Sequence, residues 1–142
     1  MALTSYADLQ AMKTLFVGGA AAAPATLYFG LSTSTIAIDG TGITEPSTAG
    51  TAYGRVAMTN NATNFTVSTI AVGSGGGAQV VNAQPITFAQ STASWGTVTY
   101  WFASDASTGG NIIAYGLLSS SQVVSASNTL SFASGALTIQ DV

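Results

Sequence analysis

The chain contains no cysteine and no histidine. Without cysteine there are no disulfides and no thiolate metal sites, and the compartment stays open, because such a chain folds equally well in reducing and oxidising surroundings. Without histidine the commonest general base and metal ligand near neutral pH is missing, and no Ser-His or Cys-His nucleophile pair can be assembled. Charge is the third scarcity: charged residues make up 5% of the chain, where about 25% is usual. They are Asp8, Lys13, Asp39, Glu45, Arg55, Asp105 and Asp141. Two cations and a net charge of −3 cannot supply the many phosphate contacts of nucleic-acid binding, so nucleic acid is not expected as a partner.

Long apolar runs are also lacking. Pro24 and Thr26 interrupt the best candidate for a membrane-spanning helix, so no membrane partner is expected. The run Met12-Lys13-Thr14-Leu15-Phe16-Val17, followed by Ala20 to Ala23, has the order of a secretory signal: a cation, a short apolar stretch, then small residues. Eleven residues precede it, Asp8 among them, and Gly18-Gly19 break its apolar core, so export by a signal sequence is not expected. The sequons at Asn61 and Asn64 then mark surface loops and nothing more.

What the chain does have is 47% hydrophobic residues, with polarity supplied by Ser, Thr, Asn, Gln and Gly. Disordered chains show the opposite balance. A surface of neutral polar groups loses less hydration on burial than an ionic one and is weakly protected against self-association. This composition suits a protein that works packed in an assembly.

One helix is expected, over residues 4–17. Ser5 is placed to cap it, and Asp8 three residues later to complete the cap and complement the dipole. Leu9, Met12 and Phe16 share a face by their spacing, and Gly18 supplies a left-handed stop. A short helix of this kind needs a surface to lie on, either an open end of its own sheet or a partner subunit. After Pro24 the pattern is strands and turns. Strands are expected at 26–31, 35–38, 53–59, 65–72, 80–81 (a short edge), 86–88, 96–103, 111–118, 123–124, 129–132 and 136–139, with turns at 39–42, 60–61, 73–77, 105–110 and 119–121. In the clearest strand Val98, Tyr100 and Phe102 alternate with Thr97, Thr99 and Trp101, and the 105–110 turn joins it to 111–118 as an antiparallel hairpin. With no βαβ spacing and no internal repeat, the expected fold is an all-β sandwich of jelly-roll type preceded by one short helix. Residues 1–24 form the helix and linker, a docking or oligomer element; residues 25–142 form the β domain.

Chemistry finds little to work with. Asp39, Glu45, Asp105 and Asp141 could form a two-carboxylate site, but most sit in or beside Gly/Ser/Thr-rich turns, where Asp is an ordinary turn former. No Asp-rich loop has calcium-ligand spacing. No catalytic residue, metal or cofactor is therefore assigned, and the chain is not expected to be an enzyme. Arg55, ten residues after Glu45, is expected to pair with it and lock the intervening loop; a contact to a neighbouring subunit is the alternative. Trp95, Tyr100 and Trp101 form an aromatic cluster. Exposed, such rings could stack on sugars; on a central strand they fill a core or a subunit interface, the preferred reading. Leu9, Met12, Phe16, Trp95 and Trp101 are thus the candidate interface residues, and the loops 39–52 and 73–78 are candidate outward contacts.

Several segments together carry a family resemblance. They are Leu15-Phe16-x-Gly18-Gly19, Pro24-Ala25-Thr26-Leu27-Tyr28-x-Gly30-Leu31-Ser32-Thr33, Thr44-Glu45-Pro46-Ser47, Tyr53-Gly54-Arg55-Val56-Ala57, Ile86-Thr87-Phe88, Ser94-Trp95-Gly96-Thr97-Val98-Thr99, Asp105-Ala106-x-Thr108-Gly109-Gly110-Asn111 and Ala114-Tyr115-Gly116. Over nearly its whole length the chain resembles a widespread group of small tailed-phage virion proteins, labelled tail-fibre or head-decoration proteins. The Trp-Gly-Thr-Val-Thr and Asp-Ala-x-Thr-Gly-Gly-Asn segments are the most specific. The resemblance implies a virion structural protein made in the host cytoplasm. Capsid decoration is the first expectation: homo-trimers seated on the outer surface of the major capsid protein, tying its lattice together. A tail fibre or tail knob contacting the host surface, with tail proteins as partners, is the second, and a carbohydrate-binding module the third.

Overall fold

The computed structural model describes residues 2–18, 23–70 and 76–141. The elements run β1 (Ala2–Leu3), α1 (Ser5–Phe16), β2 (Thr26–Ser32), β3 (Val56–Thr59), β4 (Phe65–Thr69), β5 (Ala78–Asn82), β6 (Ile86–Thr87), β7 (Gly96–Ser104), β8 (Ile112–Val124), β9 (Ser131–Phe132) and β10 (Thr138–Asp141). The protein is all-β with one N-terminal helix.

Eight strands form one sheet in the order β3-β2-β7-β8-β1-β10-β5-β4, and β6 pairs with β9 in a separate ribbon. The two edge strands of the large sheet, β3 and β4, are consecutive in the chain and joined by the turn at 60–64. The sheet therefore curls until its edges adjoin, and the Phe29 and Phe65 rings, on β2 and β4, stack 6.0 Å apart. This curled sheet, with the β6–β9 ribbon, makes the all-β body expected from the sequence. It encloses the core: Phe29, Leu31, Phe65, Val98, Trp101, Ala103, Ala114, Val124 and Leu137, with Tyr53, Ile86, Phe88 and Trp95 toward the β6–β9 ribbon.

Several local expectations are corrected. Residues 35–38 are not a strand; Ile36 is buried from a loop, and Ala37 donates its N–H to the Thr41 carbonyl at 2.9 Å. The strand expected over 53–59 begins only at Val56, because the backbone before it follows the Glu45–Arg55 loop described below. Val80 and Val81 are not an edge; β5 lies between β10 and β4. The strand expected over 65–72 ends at Thr69, and residues 71–75 of that strand and the following glycine loop lie outside the described residues.

The alternation read for β7 also breaks. Val98 faces the core together with Trp101 and Ala103, whereas Phe102 lies outside that core cluster, fully buried. The break falls at an irregularity in the β7–β8 ladder: Val98 pairs with Gln122 but Tyr100 pairs with Leu117. The surplus residues on β8 fall in Leu118-Ser119-Ser120-Ser121. The sequence pattern marks this run as a turn; the structure makes it a bulge in a single strand reaching Val124. A bulge bends its strand and strengthens the local twist.

The N-terminus is stitched into the same sheet. Ala2 and Leu3 pair antiparallel with Tyr115 and Ala114 of β8, and Ala2 pairs parallel with Gln140 of β10. The next residue, Thr4, is completely buried. It is the N-cap in place of Ser5: its Oγ1 accepts from the Ala7 N–H at 3.4 Å and donates to the Ile112 carbonyl. Tertiary pairing of β1 decides this, because it fixes Thr4 in extended geometry (φ −84°, ψ 160°) one residue before the helix begins. At the other end Gly18 adopts φ +66°, the left-handed stop expected.

Candidate functional site

The expected Glu45–Arg55 pair is present. Arg55 Nε donates to Glu45 Oε1 at 2.7 Å and Nη2 to Oε2 at 3.3 Å, the two-pronged geometry guanidinium favours. Arg55 reaches further than the sequence suggests. Its Nη1 donates to Ser104 Oγ at 2.7 Å and to the carbonyls of Ala106 at 2.7 Å and Gly109 at 2.8 Å. Its guanidinium lies 4.8 Å from the centre of the Phe102 ring. Gly30 lets that ring lie against β2, since a Cβ there would come within 2.3 Å of it. Only 6% of the Arg55 side chain is exposed. The cation joins the 45–55 loop to the 105–110 turn across β2 and β7, within one chain, so the pairing is structural.

Tyr53 extends this network inward. Its hydroxyl accepts from the Leu31 N–H at 2.9 Å and donates to Glu45 Oε1 at 3.2 Å. Burial raises the phenol pKa well above its ordinary value despite the opposing Leu31 bond, and the Glu45 charge pushes the same way. The resembling motifs find their reasons here. In Asp105-Ala-x-Thr-Gly-Gly-Asn111, Asp105 Oδ1 accepts from the Asn111 N–H at 2.7 Å and Oδ2 from Asn111 Nδ2 at 2.8 Å. Gly110 has φ +74° and no room for a Cβ, which would meet Asp105 Oδ1 at 2.5 Å. In Trp95-Gly96, the indole Nε1 donates to the Thr51 carbonyl at 2.8 Å and Gly96 takes φ +79°.

Trp95 and Trp101 are 3% and 1% exposed. Both lie inside the chain's own core, where Trp95 meets Tyr53 edge-on at 5.3 Å and Trp101 lies 6.3 Å from Phe29. The core half of the sequence reading describes them; as partner or sugar contacts they are corrected, because no ring face reaches the surface. Asp39 Oδ1 accepts from the Thr41 N–H at 3.0 Å and hydroxyl at 2.7 Å, and these bonds hold its carboxyl below the usual range. Asp39, Glu45 and Asp105 thus each serve their own loop, and no group of three His, Cys, Asp or Glu side chains converges among the described residues. Asn61 and Asn64 are turn formers: Asn61 Oδ1 accepts from the Thr63 and Asn64 N–H groups at 3.1 and 3.0 Å.

The helix carries what remains. Leu9, Met12 and Phe16 are 52%, 56% and 75% exposed, and Leu15 and Val17 are exposed as well. At about 100° per residue the first three fall within an arc of about 60°. Tyr6, Ala7, Gln10, Ala11, Thr14 and Leu15 lie away from that stripe, where they line an open groove of about 810 Å³ bounded by Pro24, Asp105 and Ile113. The helix therefore leans on the body through the half-buried Tyr6, Ala7 and Gln10 and turns Leu9, Met12 and Phe16 outward. Of the two surfaces expected for it, its own sheet engages the wrong side.

The molecule is thus an all-β body, closed by bonds to itself, that presents one unpartnered apolar helix. The chain belongs to the family described as Podophage GP4 fiber I protein gp80, whose model matches residues 2–140. It is a bacteriophage fibre-family protein, a structural component of the virion. No curated protein matches the chain.

Proposed function

We propose that the chain is a building block of a tail fibre, presented outward from the phage tail and taking part in contact with the host surface. The observation that carries this is the family match, which covers almost the entire chain and is described as a fibre protein. The tail-fibre reading now stands ahead of the capsid-decoration reading preferred from the sequence alone. The body supports a mechanical role: an internal ion pair, committed loop carboxylates and a continuous curled sheet transmit load and need no substrate. In this reading the chain is not an enzyme and needs no cofactor. Its partners are further copies of itself and tail proteins. Burial of both indoles removes the sugar-stacking argument for a carbohydrate-binding module.

The test is the position and copy number of the chain in the particle, by cryo-electron microscopy of virions carrying an antibody-labelled copy. Density at the tail, in a small multiple of the tail symmetry, is the expected result. Hundreds of copies spread over the shell would replace this reading with capsid decoration.

A further inference from the structure

The exposed helix has the pattern of a seam for its own kind. Leu9, Met12 and Phe16 are spaced three and four apart, the a-d-a positions of a heptad, and Ser5 occupies the preceding d position. In that frame Asp8 is a g position and Lys13 the following e position. These are the only charges on α1. Five residues apart, they sit on opposite flanks of the apolar stripe and cannot pair within one helix, where partners lie three or four apart. Neither takes part in an ion pair among the described residues. Between two parallel helices in register, however, the g position of one faces the following e position of the other, so Asp8 meets Lys13 of a second copy on both sides of the seam.

We propose that α1 associates with α1 of further copies of this chain as a parallel, in-register bundle, with Leu9, Met12 and Phe16 in the seam and reciprocal Asp8–Lys13 pairs on its rim. A helix this short is marginal alone, but here the body supplies its start: Thr4 is fixed by β1 and by the Ile112 carbonyl. The charges favour a second copy over an unrelated partner, since one acidic and one basic residue flank the stripe symmetrically and complement only an equivalent arrangement. The pairing deepens the reading of the chain as a repeated fibre component and names the contact that would join its copies.

The experiment uses the full chain and sedimentation equilibrium, with circular dichroism to check the fold. Wild-type protein is expected to self-associate. Asp8→Lys and Lys13→Asp, each alone, set like charges on both rims and should weaken association about tenfold; the double variant should restore it. Leu9→Ser with Phe16→Ser should abolish it with the β-sheet spectrum unchanged. Because the chain has no cysteine, Phe16→Cys gives one thiol per copy. It should oxidise to a crosslinked dimer in a parallel bundle and not in an antiparallel one, where the two thiols lie at opposite ends. A monomeric wild type overturns the proposal, as does association indifferent to the seam variants, absence of rescue in the double variant, or absence of the crosslink. These outcomes are separable from the tail assignment: copies found at the tail with a monomeric purified chain leave the fibre reading standing, and helix-paired copies found on the shell do the reverse.

Discussion

Arg55 shows how much structure one side chain can hold in a chain so poor in charge. It binds Glu45, Ser104 and two carbonyls of the 105–110 turn from a nearly dry position. Arg55→Met would leave Glu45 half-buried without its counter-charge and the Gly109 carbonyl without its donor, while Ala106 keeps only the Ser104 hydroxyl. We expect a loss of about 3–5 kcal/mol in urea unfolding; a change below 1 kcal/mol would show the network to be peripheral. Gly30→Ala should cost about 1–3 kcal/mol by the same measurement, since its Cβ overlaps the Phe102 ring. Tyr53 gives a pH signature. Its folded pKa is raised above the unfolded value, so the folded state binds the proton more tightly. Its contribution is complete below about pH 10, the unfolded tyrosine value, and is lost as pH rises beyond it. Urea midpoints measured from pH 8 to 11 should therefore fall above pH 10. Tyr53→Phe should flatten that fall while lowering stability at pH 8 by about 1–3 kcal/mol through the unbonded Leu31 N–H. Equal slopes in both proteins would remove Tyr53 as the cause.

At the scale of elements, the helix and the sheet behave as separate designs. Thr4 belongs to both, capping α1 and bonding to β8, so Thr4→Ala should lower stability by about 1–2 kcal/mol and loosen the whole N-terminal segment. Hydrogen exchange at Ala7 and Asp8 reports it. By contrast, Leu9→Ser, on the outward face, should change monomer stability by less than about 0.5 kcal/mol. The helix was legible in the sequence because its apolar spacing, Asp8 and Gly18 all agree. The hairpin β7–β8 was legible too, since the 105–110 turn chemistry is local. Strand phase beyond Val98 was not, because nothing in Ser119-Ser120-Ser121 distinguishes a turn from a bulge until β7 is laid beside it. The Glu45–Arg55 pair could be anticipated from scarcity: with two cations in the chain there were few choices. Its extension to Ser104 and Gly109 could not, as those residues are some fifty positions away.

At the scale of the molecule, a surface nearly free of ions should make assembly indifferent to ionic strength. Only the rim pairs of the proposed seam respond to salt, and each exposed pair contributes about 0.2–1 kcal/mol. Sedimentation between low and high salt should therefore shift the association constant by less than about tenfold; a steep loss would point to an ionic interface instead. Trypsin reports the same architecture. Its two possible sites are Lys13 and Arg55, and Arg55 is enclosed, so native protein should be cut only after Lys13, and more slowly when assembled.

Sequence pattern by itself determined that the protein would be all-β with one N-terminal helix, because periodicity and turn residues are local properties of the chain. The Trp and Tyr positions marked rings that needed burial, without saying by what. Only the tertiary structure decided that one sheet curls to bury them within a single chain, that Thr4 and not Ser5 starts the helix, and that the apolar stripe of that helix faces outward. Each of these depends on which distant strands meet, and pairing between remote segments is not written in the spacing of either one.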